Sequence, residues 1–260
     1  KANRKIGLGV MGFAEMLIAL KIPYASDGTL KLADEIGAFI QAEAVKKSVE
    51  LAKMRGSFPN FDLSSWKAKG FSELRNATLT TVAPTGTISI IAGTSSGIEP
   101  LFAISYIREA LGGVNLLEVN HLFDEIAREK GFQSEELSQT IAKTGSIKNL
   151  KDVPEEIRNI FSTTFDIPGE WHVRVQAAWQ KNIDNAVSKT VNLPAEASLS
   201  DVRQIFKLAH SLKCKGITVY RYGSKKNQVL YVGDKAKQDN TLVRAAAEYG
   251  GDCAAGECAF

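Results

Sequence analysis

The most constraining feature of this sequence is a short run of β-branched residues that ends in a loop of small, polar ones. Residues 77–82 (Ala-Thr-Leu-Thr-Thr-Val) predict a buried strand. A loop of small residues extends from Pro84 to Gly97, and an apolar run at residues 101–107 predicts a second strand. Because helical patterns separate the later strand-like runs, the sequence predicts an α/β fold with parallel strand pairing.

Periodic apolar residues predict helices along most of the chain. Residues 1–20 fit a helix, and Ser26 is placed to cap a long helix that stops before Gly56. Further helices are predicted over residues 116–130, 135–143, 154–162, 170–183 and 200–213, and strands over 186–192 and 216–220.

Charge and composition exclude several functional classes. The 32 basic and 29 acidic residues give a net charge of +3, without the basic surplus that direct nucleic-acid binding requires. No apolar run reaches the roughly 18 residues of a membrane span. The three cysteines, Cys214, Cys253 and Cys258, are too few for a secreted disulfide scaffold, and the isolated histidines predict no metal site. We expect a cytoplasmic enzyme and, since the chain opens on Lys1, a piece of a longer polypeptide.

A glycine motif near the start of the chain resembles a nucleotide-binding turn. Gly7, Gly9 and Gly12 form a G-x-G-x-x-G pattern, which in dinucleotide-binding units follows a strand and approaches a pyrophosphate. No apolar strand precedes these glycines, so the motif is weak evidence. One hypothesis is an oxidoreductase that binds a nicotinamide or flavin cofactor here. The other is a helix whose small residues allow close packing.

The loop after residues 77–82 has the groups needed to hold a phosphate. Its glycine frees the backbone to turn, and its hydroxyls and backbone amides are donors to an anion. A Ser/Thr-rich loop that caps a helix and binds nothing would have the same residue types, so both interpretations stay open. A second small, polar turn at residues 93–100 favours a shaped site. The candidate binding residues are Pro84, Thr85, Gly86, Thr87, Ile88 and Ser89.

Six segments of the chain resemble the large chain of ribonucleotide reductases, in family order, and most closely the adenosylcobalamin-dependent (class II) branch. They are residues 4–12, 75–78, 83–89, 96–100, 184–192 and 215–224. The resemblance implies an α/β fold in which residues 1–232 form the C-terminal half of a ten-stranded α/β barrel. Residues 233–260 would form a flexible C-terminal tail. In this family residues 7–12 open a helix and do not bind a cofactor.

The resemblance also implies an activity, the reduction of ribonucleoside diphosphates to deoxyribonucleotides by thiyl-radical chemistry with adenosylcobalamin. Residues 84–89 would hold the substrate's phosphates, with Gly86 where some branches have an acidic residue. Cys253 and Cys258 would form a dithiol that carries electrons from a thioredoxin-type reductant.

Other parts of that machinery lie outside the matched segments. In the family the radical cysteine and the reducing thiols precede residue 4, so this chain would be inactive without the N-terminal half of the reductase. The family also allows a homodimer. A non-catalytic subunit that only binds the missing half is a further hypothesis.

Overall fold

The computed structural model describes residues 1–110 and 114–224, together with the backbone of two short strands beyond them; of residues 106–118 it describes only backbone. The tail cysteines, Cys253 and Cys258, lie outside the described residues. The helices are α1 (Phe13–Ala19), α2 (Asp27–Arg55), α3 (Ser65–Ala68), α4 (Gly86–Ala92), α5 (His121–Glu129), α6 (Glu135–Thr144), α7 (Glu155–Ile160), α8 (Gly169–Gln180) and α9 (Leu199–Ser211), with a 3₁₀ turn at Phe61–Leu63. The strands are β1 (Ser105–Ala110), β2 (Val114–Val119), β3 (Thr190–Leu193), β4 (Thr218–Arg221), β5 (Leu230–Tyr231) and β6 (Arg244–Ala245).

Residues 77–82 lie in the middle of a parallel arrangement of extended segments. Isolated parallel bridges join Thr80 to Leu8 on one side and Val82 to Val187 on the other. Beyond Val187 the chain continues into β3, which pairs in parallel with β4. The predicted strand is therefore extended and paired on both sides, although through single bridges instead of a continuous ladder.

The first twelve residues are not helical, so the prediction of a helix over residues 1–20 is wrong for its first part. Only α1, from Phe13, is a helix, and Gly12 precedes it with φ 76°. The preceding residues run beside 77–82, with the Leu8 amide donating to the Leu79 carbonyl at 2.8 Å. The apolar spacing that fits a helix belongs here to an extended segment, which is hydrogen-bonded to residues 78–81.

The long helix α2 has the bounds that its flanking residues predict. The Ser26 hydroxyl accepts from the backbone amide of Thr29 at 3.3 Å, and Gly56, with φ 76°, ends the helix. This cap geometry is the reason for the agreement, because Ser favours the N-cap and Gly readily adopts the positive φ found where this helix ends. The helix packs on α8 around Ala33 and Trp179.

The region between residues 101 and 130 differs most from the prediction. The expected helix over 116–130 is instead β2 followed by α5, with the Asn120 side chain capping α5. The expected strand over 101–107 begins at Ser105, and β1 pairs with β2 in antiparallel register, Ser105 opposite Val119. The antiparallel pairing of β1 with β2 explains this difference from the prediction, because short apolar runs fit a helix or a strand equally well.

The part of the chain that the structure describes holds two sheets, which differ in their pairing. One pairs β3 with β4, and the other has the order β2-β1-β6-β5. In the larger sheet β1 pairs in parallel with β6, and β5 pairs antiparallel with β6. The fold is therefore mixed α/β, and parallel pairing holds for only part of it. None of the helices in the described part of the chain is long and apolar enough to cross a membrane.

Replacing Gly9 by alanine tests the close approach of residues 7–9 to 77–82. A Cβ at Gly9 would lie 2.3 Å from the Thr81 carbonyl oxygen, whereas one at Gly216 would meet nothing within 4 Å. We expect Gly9→Ala to lower the free energy of unfolding by about 1–3 kcal/mol, and Gly216→Ala to have little effect. Urea denaturation of both variants measures this. Equal stability of the two would contradict the packing described here.

Candidate functional site

The candidate phosphate loop, residues 84–89, leaves the carboxyl end of the extended segment 77–82 and turns into α4. Thr85 precedes α4 with φ 55°, a left-handed conformation that is unfavourable for a β-branched residue. Its hydroxyl accepts a hydrogen bond from the Gly97 amide at 2.8 Å. The strained backbone of Thr85 is thus held by a bond to the second turn.

The other side chains of the loop divide into internal and exposed groups. The buried Ser89 hydroxyl contacts the Gly86 carbonyl and the Ser96 hydroxyl, each at 2.9 Å. Pro84, Thr87 and Ile88 are exposed. The hydroxyls of Thr85 and Ser89 therefore shape the loop from inside, and Thr87 is the hydroxyl that faces outward.

A carboxylate on α1 holds one flank of the second turn. Glu15 accepts from the Thr94 hydroxyl, from the Ser95 amide at 3.2 Å and from the Asn120 side chain at 3.3 Å. The amide of Gly12 donates to the Ser95 carbonyl at 2.8 Å. The start of α1 and the second turn are therefore fixed to each other. No motif in the sequence marks Glu15 for this role.

A buried ion pair holds the other flank of this turn. The Lys189 ammonium, whose side chain is fully buried, lies 2.5 Å from the Glu99 carboxylate. It also donates to the ring Nδ1 of His172 at 2.7 Å and to the Thr190 carbonyl at 2.5 Å. The second Glu99 oxygen accepts from the Thr190 amide at 2.7 Å. Both charged residues lie in segments that carry the family resemblance, but the pattern alone did not reveal that they pair.

His172 is neutral in this environment. Burial, together with the positive charge of Lys189, holds the pKa of His172 well below its usual range. Since Nδ1 accepts from Lys189, the ring proton is on Nε2, which lies 3.1 Å from the Thr164 carbonyl. Burial also lowers the pKa of Lys189, opposed by the Glu99 carboxylate. Burial and that carboxylate raise the pKa of Tyr24, which donates to the Ile98 carbonyl at 2.6 Å.

Backbone and side-chain atoms of this same chain lie directly against the glycines of the G-x-G-x-x-G motif. A Cβ at Gly7 would lie 2.6 Å from the Thr81 side chain, and one at Gly12 would lie 2.5 Å from the Thr94 hydroxyl. Together with the contact of Gly9, these glycines allow three close approaches within the chain. The space that a pyrophosphate would need beside them is therefore filled, which disfavours the nicotinamide or flavin hypothesis.

A cavity of about 710 Å³ lies at the opposite end of the parallel segments, beside residues 77–78 where the extended segment starts. Four lysines contribute to its lining, and one of them, Lys181, pairs with Asp34 at 2.6 Å. Open parallel sheets bind ligands at the carboxyl ends of their strands, where residues 84–89 lie. The cavity is therefore separate from the candidate phosphate loop.

Comparison with known proteins identifies the family. The family described as "Ribonucleotide reductase, barrel domain" matches residues 1–220. The chain belongs to this family. It is 49% identical over 260 residues to a "Vitamin B12-dependent ribonucleoside-diphosphate reductase" of Mycobacterium tuberculosis (strain CDC 1551 / Oshkosh), covering 100% of this chain and 37% of that protein.

Two further relatives agree with this assignment. A protein of the same name from Thermoplasma acidophilum is 50% identical over 233 residues, which is 90% of this chain and 30% of that one. The solved structure of the Actinobacillus ureae class Id ribonucleotide reductase alpha subunit matches with a TM-score of 0.72 and 27% identity, covering 85% of this chain and 39% of that one. The reductase barrel-domain chain thus spans between 30% and 39% of the length of these relatives.

The buried neutral state of His172 predicts an acid-sensitive stability. The unfolded chain protonates this histidine below about pH 6.5, while the folded chain does not, so the unfolding free energy falls as pH drops below that value. From pH ~6 to ~5 the slope for the wild type should exceed that for His172→Gln by up to about 1.4 kcal/mol per pH unit. Denaturant titrations at several pH values measure it, with the exposed His210→Gln as control. Identical slopes for all three proteins would show that His172 is protonated in the folded state.

Proposed function

We propose that this chain is part of an adenosylcobalamin-dependent ribonucleoside-diphosphate reductase. The observation that carries the proposal is the 49% identity, over the whole chain, to proteins named vitamin B12-dependent ribonucleoside-diphosphate reductase. Residues 1–232 would supply the C-terminal half of the catalytic barrel, and residues 233–260 its tail. The parallel arrangement of the segments at residues 6–8, 80–82, 187–193 and 218–221 supports the barrel assignment.

The proposed reaction needs two thiols that residues 1–213 do not contain. Replacing the 2′-hydroxyl of the ribose by hydrogen takes two electrons, so two thiols become a disulfide and the hydroxyl leaves as water. The first cysteine in the sequence is Cys214. It is half-buried, and burial raises the pKa of its thiol, which makes it a poor source of thiolate. In the family the reacting thiols precede the matched segments, so we assign them to the N-terminal half of the reductase and leave Cys253 and Cys258 to the tail.

While the N-terminal half would supply the thiols, residues 84–89 of this chain would bind the diphosphate of the substrate. The exposed Thr87 hydroxyl is available to a phosphate oxygen, while Thr85 and Ser89 keep the loop in shape from inside. The loop also lies at the carboxyl end of the parallel segments, where ligands of such sheets bind. Phosphate binding is remote from the reacting ribose carbons, so it serves to hold the substrate in place.

The C-terminal tail would regenerate the enzyme. Cys253 and Cys258 are separated by four residues, and glycines at 250, 251 and 256 lie beside them. Such a dithiol would reduce the barrel disulfide by thiol exchange and would itself be reduced by a thioredoxin-type protein. We place the enzyme in the cytoplasm, where reducing conditions keep these thiols available.

The cobalamin cofactor would be held mainly by other parts of the reductase. The lysine-lined cavity does not fit it, because this cavity lies at the far end of the parallel segments from the loop that would hold the substrate. A cofactor that starts radical chemistry at the ribose must lie beside the substrate. We therefore assign none of the described residues to the cobalamin.

Reconstitution tests the proposed function. The 260-residue chain should make no deoxynucleotide with ribonucleoside diphosphate, adenosylcobalamin and dithiothreitol, and should gain activity when combined with the N-terminal half of the reductase. The physical reason is the absence of cysteine before Cys214. Titration with dinucleotide cofactors serves as the control and should show no binding. Turnover by the chain alone would contradict the proposal, and binding without turnover in the complex would favour the non-catalytic subunit.

Replacing Thr87 by valine in the active enzyme tests the phosphate loop. A hydrogen bond to a charged group contributes roughly 1.5–3 kcal/mol, so KM for the diphosphate substrate should rise about tenfold or more. Because this binding is common to the ground and transition states, kcat should change much less. Thr140→Val, on the separate helix α6, is the matched control. If KM is the same in Thr87→Val and in the control, Thr87 does not bind the substrate.

A further inference from the structure

The buried Lys189 ammonium is saturated by protein partners and has no part in the proposed reaction. Its three protons are donated to Glu99, to His172 and to the Thr190 carbonyl, at 2.5, 2.7 and 2.5 Å. A buried charge costs free energy unless it is paired and fully hydrogen-bonded, as this one is. Such a complete set of partners fixes the Glu99 carboxylate in one position, against Lys189 and the first residue of β3.

Glu99 is the last residue of the turn at residues 96–99, which contacts the candidate phosphate loop. The preceding residue, Ile98, is buried and its carbonyl accepts from the Tyr24 hydroxyl. The Gly97 amide donates to the Thr85 hydroxyl, and the Ser96 hydroxyl contacts that of Ser89. The links thus run without interruption from Lys189 through Glu99 and the turn to the two loop residues whose hydroxyls point inward.

We propose that Lys189 and Glu99 are positioning residues for the phosphate loop. Their ion pair fixes the turn at residues 96–99, and the turn keeps Thr85 in its left-handed conformation, so that the exposed Thr87 is presented to the substrate. The inference rests on the proposed phosphate-binding function of residues 84–89. It adds that the geometry of this loop is set by an ion pair between the turn and the residue that precedes β3, and not by the loop sequence alone.

The test uses the full reductase with the nearly isosteric change Glu99→Gln. The amide keeps one oxygen for the Thr190 amide but gives up the charge that holds Lys189, so the turn loosens without a large change in volume. We expect KM for the ribonucleoside diphosphate, and the inhibition constant of inorganic pyrophosphate, to rise about five- to tenfold while kcat stays within about twofold. Hydrogen exchange of the Gly97 amide should become faster.

Two further variants separate positioning from general stability. Glu156→Gln removes the carboxylate of an exposed ion pair with Lys130 and should leave all these quantities unchanged. Thr85→Val removes only the hydroxyl that accepts the hydrogen bond from the Gly97 amide, and it should raise KM as Glu99→Gln does. Thr85→Ser keeps a hydroxyl at this position and should therefore have the KM of the wild type. A merely destabilised enzyme would lose active molecules, which lowers the apparent kcat and leaves KM unchanged.

The outcomes for the two proposals are distinct. If Glu99→Gln leaves both KM and Gly97 exchange unchanged while Thr87→Val raises KM, positioning is overturned and phosphate binding stands. If Thr87→Val leaves KM unchanged, phosphate binding by Thr87 is overturned, and faster Gly97 exchange in Glu99→Gln still supports the link from the ion pair to the loop. Unchanged exchange in Glu99→Gln overturns that link in either case.

Discussion

The fold around the candidate site depends on two adjacent residues, Asp184 and Asn185, that join three extended segments. One carboxylate oxygen of Asp184 accepts from the Leu79 amide at 2.8 Å, and the other accepts from a glutamine of α2 at 2.9 Å. The Asn185 amide donates to the carbonyls of Thr80 and Ile6, at 2.8 and 3.1 Å. Because single bridges replace a continuous ladder here, these side-chain bonds set the register of the segments and the point where the loop at residues 84–89 begins.

Charged side chains are a second source of stability around the candidate site, and their interactions differ greatly in strength. A hydrogen bond to a charged group contributes roughly 1.5–3 kcal/mol, whereas an exposed ion pair contributes about 0–1 kcal/mol. The carboxylates of Glu15 and Glu99 make the stronger kind of bond on the two flanks of the turn at residues 94–99. Exposed pairs such as Lys130–Glu156 contribute little by comparison. The candidate phosphate loop therefore packs against a turn whose two flanks are each held by a carboxylate.

The parts of the fold that the sequence predicts are those whose determinants are local. Helix α2 begins and ends as predicted because Ser26 and Gly56 act on their own neighbours. The helix expected over 116–130 is wrong only for its first residues, because residues 114–119 pair with β1 and an apolar run does not show its partner; the rest of it is α5. The residue types of the loop at 84–89 likewise led to the phosphate-binding hypothesis, but they did not predict the pairing of Glu99 with Lys189. Those residues are 90 positions apart, and only the fold brings them together.

The glycine motif shows why spacing alone does not identify a ligand. A glycine permits close approach of any group to the backbone, whether a pyrophosphate or another part of the chain. At Gly9 the approaching group is the Thr81 carbonyl, and at Gly12 it is the Thr94 hydroxyl. The same Thr94 hydroxyl donates to Glu15, so the glycines of the motif bring α1 against the turn that supports the phosphate loop. The motif thus serves packing within the chain, and its glycines are needed for a reason different from that in dinucleotide-binding proteins.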